Sequence, residues 1–229
     1  MSETMANAIM KDQAIDGTTK WRNDDQYQLM GGVLAWSFEV NNIKTLLNQE
    51  AGVEYIRLYL IHEPGTTQQT NLLAVSVLKD KSDYLSKKLF KAERLCKSGG
   101  YDTNCDNKSP LITGIKSDDI TFDMAVNYTT TWRTHPQVSP LTEQSNKIKA
   151  WGFTAKSIVD LLKHWQQHQE EVGYIKFYIA TNTHKANETT LVMIGARPDN
   201  TDLVAHDTDV FFDFADPCPT FCDMDSPLN

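Results

Sequence analysis

The chain has 229 residues, 40% hydrophobic and 23% charged, a composition that supports a packed core and excludes a fibrous or disordered chain. Lys and Arg number 22 against 30 Asp and Glu, for a formal net charge of −8. With the basic residues scattered, that balance argues against nucleic acid, whose binding needs clustered cations to displace counterions.

In chain order, the first predicted element is a helix over residues 6–22. A short extended segment over 33–38 and a second helix follow. Two strands come next, 53–61 and 72–78, rich in β-branched and aromatic residues. The densest basic run, Lys79, Lys81, Lys87, Lys88, Lys91, Arg94 and Lys97, is broken by Asp80, Asp83 and Glu93 and reads as a solvated face. Residues 97–119 are polar and turn-rich.

The same order then returns. A helix is predicted over 122–133, with Thr121 as its N-cap and Phe122, Ala125, Val126 and Trp132 near helical spacing. An extended segment covers 148–153. The next helix starts at Thr154 and carries Ile158, Leu161, Leu162 and Trp165 on one apolar face. Strands follow at 174–181 and 190–196, with a further strand at 210–214. The connections within each strand pair are short, which favours antiparallel hairpins over parallel crossovers.

The sequence reads as a tandem duplication. Asp12, Ala14, Thr18, Thr19, Trp21 and Arg22 recur as Asp123, Ala125, Thr129, Thr130, Trp132 and Arg133. AWSFEVNNIKTLL from Ala35 lies over AWGFTAKSIVDLL from Ala150, and YIRLYL from Tyr55 lies over YIKFYI from Tyr174. The offset grows from 111 to 115 to 119, so the second copy holds two short insertions. Repeat units this long are duplicated domains and not solenoid repeats. The expected repeats are residues 1–112 and 113–229. The expected fold is α+β, with two homologous α-α-β-β repeats, antiparallel sheets packed against helices, and a pseudo-twofold relating the copies.

The second copy strings together Tyr128, Thr129, Trp132, Arg133, Trp151, Phe153, Ile175, Lys176 and Tyr178, and ends in Asp213, Phe214, Pro217, Cys218, Pro219 and Cys222. This order resembles a family of small uncharacterised bacterial domains of the Bacteroidetes type, which end in D-F-x-x-P-C-P-x-x-C. The resemblance implies that the chain is a fused pair of a domain otherwise found singly. It implies no activity. The first copy follows the pattern to about Lys79 and then departs, with Cys96 and Cys105 in place of Pro-Cys-Pro.

Few residues point to chemistry. Cys96 and Cys105 are spaced C-x8-C, and Cys218 and Cys222 are spaced C-x3-C. Only the second spacing suits a zinc ribbon, and neither is the C-x-x-C redox motif. Inert or disulfide-bonded cysteines, a zinc site and redox-active thiols all stay open, although a cytoplasmic setting disfavours stable disulfides. Arg22 with Trp36 and Arg133 with Trp151 suggest an anion pocket in each copy, or core indoles with a guanidinium satisfying carbonyls. His164 and His168 share a helix face but lack the glutamate of H-E-x-x-H. Asp207, Asp209 and Asp213 suit a hard cation only in residue type, since the EF-hand pattern is missing, and an acidic solvated tail is the plainer reading.

No Walker loop, dinucleotide fingerprint or nucleophile elbow occurs in the sequence. The longest apolar stretches, such as 72–77, fall well below the ~20 residues of a membrane span. The first ten residues lack the pattern of a signal peptide. The expectation is therefore a cytoplasmic, non-catalytic binding or interaction module without membrane contact. Its partner would be a small ligand or a protein, held by default in a cleft between the copies. The alternative is a thiol-redox or zinc-binding protein using Cys218 and Cys222. In a cytoplasmic protein the sequons at Asn107, Asn127 and Asn187 carry little weight.

Overall fold

The computed structural model describes residues 8–10, 33–62, 70–96, 118–119, 121–134, 150–182, 188–203, 210–213 and 216–217. In chain order these give β1 (Ala8–Met10), β2 (Val33–Glu39), α1 (Val40–Asn48), β3 (Val53–His62), β4 (Thr70–Leu78), β5 (Asp83–Tyr84), β6 (Phe90–Lys91) and β7 (Glu93–Cys96). Then come β8 (Asp118–Asp119), α2 (Phe122–Thr134), β9 (Ala150–Thr154), α3 (Ala155–Gln167), β10 (Tyr174–Asn182), β11 (Glu188–Ala196), β12 (Val210–Asp213) and β13 (Asp216–Pro217). The architecture is α+β with strands predominating.

Two antiparallel sheets form. The first runs β1-β12-β11-β10-β2-β7, and the second runs β13-β9-β3-β4-β6-β8, with β5 paired to β4. The hairpins β3–β4 and β10–β11 are the longest pairings, as their β-branched and aromatic content favours. Each hairpin takes its next neighbour from the far side of the chain. β10 pairs with β2, so that Tyr174 faces Glu39, Ile175 faces Phe38 and Phe177 faces Trp36. β3 pairs with β9, so that Tyr55 faces Thr154, Ile56 faces Phe153 and Leu58 faces Trp151. Both sheets therefore contain strands from before and after residue 112.

The pleat sends alternate residues of each hairpin to opposite faces. Ile56, Leu58 and Leu60 from β3 meet Ile175, Phe177 and Ile179 from β10 in one buried core. Trp36 and Phe38, with Trp151 and Phe153, complete it from β2 and β9. The Phe177 ring meets Phe38 edge-on at 5.9 Å and Phe153 at 5.2 Å, geometries that suit aromatic quadrupoles. α1 buries Val40, Ile43 and Leu46, and α3 buries Ile158, Leu161 and Trp165, each set at helical spacing. Both helices touch strands of both sheets and help to close the core.

The helices start differently. Thr154 caps α3, its Oγ1 accepting from the Ser157 amide at 3.0 Å. Glu39 makes no such side-chain bond, and the Val40 amide donates to the Gly173 carbonyl at 2.9 Å instead. Thr121 precedes α2, and its Oγ1 accepts from the Met124 amide at 3.3 Å. Ala125 of α2 is buried among Tyr59, Ile61, Leu73 and Val75, so this helix covers the outer face of the second sheet.

The structure departs from sequence expectation in places. Residues 8–10 form an edge strand on β12 and not the start of a helix, since tertiary pairing overrides weak local preference. Residues 11–22 of that predicted helix lie outside the described residues. Phe122 is 42% exposed and not on the packed face of α2, because it stands in the first turn, where only Ala125 reaches the sheet. The basic run keeps Lys79, Lys81, Lys87 and Lys88 exposed. The same stretch also buries Leu89, Phe90 and Ala92 and adds β6 and β7 to the two sheets. Among the described residues, no helix is long and apolar enough to cross a membrane.

Candidate functional site

On the outer face of each hairpin a cation, a tyrosine and an aspartate meet. In the first, Arg57 of β3 pairs with Asp83, and both side chains are fully buried. Arg57 also donates to the Lys81 carbonyl at 3.1 Å, and the Tyr59 hydroxyl donates to the other Asp83 oxygen at 2.5 Å. In the second, Lys176 of β10 donates to Asp202 at 2.7 Å and to the Asn200 carbonyl at 2.6 Å, while Tyr178 donates to Asp202 at 2.7 Å. Asp202 keeps 30% of its side chain exposed, so this cluster reaches water where the first is sealed. Burial, reinforced by the negative charge of Asp83, pushes the Tyr59 hydroxyl well above the ordinary tyrosine pKa.

The turn that delivers each aspartate is built alike. Asp80 accepts from the Ser82 amide at 3.0 Å and its hydroxyl at 2.6 Å. Asp199 accepts from the Thr201 amide at 2.9 Å and its hydroxyl at 2.7 Å. These hydroxyl bonds hold both carboxyls below their ordinary pKa. The residue between takes a left-handed conformation in each turn, Lys81 at φ 70° and Asn200 at φ 69°. The ion pairs and the turn bonds fix each turn against its hairpin.

A cleft of about 740 Å³ opens between α1 and α3. Val40, Lys44 and Leu47 line it from α1, and Val159, Leu162 and Gln166 from α3, each set at the spacing of one helical face. Leu47, Leu162 and Val172 form a half-buried apolar floor that packs against the main core. Lys44 and Lys163 stand on its walls, while Glu39, Glu170, Glu171 and Tyr174 gather at one end. Glu170 is already held by Arg197 through two bonds, at 2.6 and 2.9 Å. Burial, with Glu39 nearby, raises the Tyr174 pKa.

That end is held by Gly173. Its carbonyl accepts from the Val40 amide, and its own amide donates to the Ala196 carbonyl at 2.8 Å. A Cβ on Gly173 would stand 2.7 Å from the Pro198 Cα, so only glycine lets the two backbones approach this closely.

Trp36 and Trp151 are 0% and 2% exposed and belong to the core, not to the lining of the α1–α3 cleft. The Trp36 indole N–H donates to the Thr70 carbonyl at 3.3 Å, and that of Trp151 to the Thr189 carbonyl at 3.4 Å. Arg133 falls in the last turn of α2, but its side chain lies outside the described residues, and so does the whole of Arg22. Cys96 ends β7 at a sheet edge. Its side chain, and Cys105, Cys218 and Cys222 entirely, lie outside the described residues. So do Asp207 and Asp209, while Asp213 ends β12. No His, Cys, Asp or Glu group of three or more is placed to hold a metal among the described residues.

The aspartate clusters were missed by sequence reasoning, which expected a cleft between the copies but named none of the residues that line this one. The signal for the clusters was present as Asp80-Lys81-Ser82-Asp83 against Asp199-Asn200-Thr201-Asp202, at the same offset of 119 as the YIRLYL match. Compared with known proteins, the chain matches no family model, no curated protein and no solved structure.

Proposed function

We propose that the chain is a non-catalytic interaction module of two fused, equivalent α+β halves, and that it binds a short amphipathic segment of a partner protein between α1 and α3. The cleft carries this reading. Its floor is apolar and half-buried, its walls are helical side chains of α1 and α3, and charged residues line it as well. An elongated occupant with one apolar face buries Leu47, Leu162 and Val172 and leaves its polar face in water, the pattern of helix-in-groove recognition.

The duplication is part of the same proposal. It is supported by the matched registers of β2 on β10 and β9 on β3, by the two tryptophan bonds to Thr70 and Thr189, and by the two aspartate turns. On this reading the halves are related by a pseudo-twofold, and α1 and α3 are counterparts that face each other across the cleft. The single bacterial domain that the second half resembles is then the unfused form.

The test is selection of binders from a displayed library of short random peptides, followed by amide chemical-shift mapping. Selected peptides should be amphipathic and should shift amides of α1, α3 and residues 170–174. Leu162→Asp should weaken them about tenfold or more, equivalent to ~1.4 kcal/mol. Binders that map elsewhere, or that ignore Leu162→Asp, would count against the cleft.

A further inference from the structure

The cleft between α1 and α3 is apolar along its floor and unevenly charged along its length. Glu39 stands at the start of α1, and Lys44 follows five residues later, about 7 Å along the helix axis. On the opposite wall Lys163 stands four residues before the end of α3, about 6 Å back from it. The start of α1 meets the segment that follows α3, where the Val40 amide donates to the Gly173 carbonyl, so Glu171 comes to the same end of the cleft as Glu39. Glu170 is held there by Arg197, while Glu171, Lys44 and Lys163 are exposed to solvent. One end of the cleft is thus acidic, and about one helical turn further in its walls are basic.

The internal repeat separates the floor from the charges. At the offset of 115, Leu47 and Leu162 stand opposite each other and both supply the floor, but Val159 stands opposite Lys44 and Asn48 opposite Lys163. At the offset of 119, Gly52 stands opposite Glu171. The frame that both copies share therefore does not require these three charges. We propose, resting on the cleft as the binding site, that Glu171, Lys44 and Lys163 select the partner by charge. The segment they fit is an amphipathic helix with Lys or Arg at one end of its apolar stripe, meeting Glu171. About one turn further along it carries Asp or Glu, meeting Lys44 and Lys163. Exposed charges at an interface add little affinity each and act on partner choice and on the rate of encounter. A segment with the opposite signs brings like charges together at both places, which works against the wrong partner.

The experiment takes a library-selected peptide that binds the full chain and shifts amides of α1 and α3. It is remade in three forms on one apolar stripe: basic end with acidic middle, acidic end with basic middle, and both places uncharged. Affinities are measured by fluorescence anisotropy at about 0.1 M and about 1 M salt, where the Debye length falls from about 10 Å to about 3 Å. At the lower salt the first form should bind about threefold tighter than the uncharged form, and the second about threefold weaker. At the higher salt the three should converge. The triple variant Lys44→Glu, Lys163→Glu, Glu171→Lys, changed only at exposed positions, should invert the order. Three forms that map to the cleft and bind alike, or a triple variant that keeps the wild-type order, overturn the charge selection and leave the cleft as a binding site. If no selected peptide maps to α1 and α3, the binding site and the charge selection fall together.

Discussion

Replacing Asp83 by Asn strips the fully buried Arg57 guanidinium of its counter-charge. Such a loss costs about 3–5 kcal/mol. Asp202→Asn should cost clearly less, because Asp202 is 30% exposed and solvent screens the cation it leaves. Urea denaturation of the two variants checks the order, and equal losses would contradict the difference in burial. Tyr59 adds a pH effect. Its pKa is raised in the folded chain above the ordinary value of 10.0, so the folded state holds its proton longer than the unfolded one. Stability is then full below about pH 10 and falls as pH rises beyond it. Tyr59→Phe should flatten this alkaline loss in thermal melts taken across that range, even though it removes the bond to Asp83. The residues of these clusters were legible only as a repeated D-x-S/T-D. Which basic residue each aspartate meets was not legible, because Arg57 and Lys176 lie 26 positions away and reach it across a neighbouring strand.

At the scale of the element, the caps and close approaches decide where helices start and how tightly they pack. Thr154→Ala should cost about 1 kcal/mol, since it leaves an early amide of α3 without its acceptor. The corresponding change at Glu39 of α1 removes no capping bond, because that side chain makes none and the Val40 amide donates to the Gly173 carbonyl instead. Gly173→Ala should destabilise by about 1–3 kcal/mol and move the acidic end of the cleft, because its Cβ would meet Pro198 backbone at 2.7 and 2.8 Å. Chemical denaturation measures all three. The elements themselves were largely readable: the hairpins from β-branched content, α2 and α3 from Thr121 and Thr154 and their apolar spacing. The short strands β5 to β8 were hidden, since runs of two to four residues such as Phe90–Lys91 carry no clear periodicity. Residues 8–10 misled because Ala, Ile and Met favour neither state strongly enough to outweigh their pairing with Val210–Phe212.

At the scale of the whole molecule, the consequential feature is the exchange of strands. β2 completes the hairpin β10–β11 and β9 completes β3–β4, so neither stretch of chain closes its own sheet. The matching segments were legible in the sequence but this exchange was not, because strand pairing across about 90 residues or more leaves no local trace. If the halves are equivalent, as proposed, residues 113–229 can supply to a second copy of themselves what residues 1–112 supply in the intact chain. The direct measurement is the sedimentation and far-ultraviolet circular dichroism of residues 113–229 expressed alone, and again after mixing with residues 1–112. The account predicts a folded fragment with twice its own mass, in which β9 of one copy pairs with β10 of the other, or a folded one-to-one complex on mixing. A folded monomer of residues 113–229, or a fragment that stays unfolded in both samples, would contradict it.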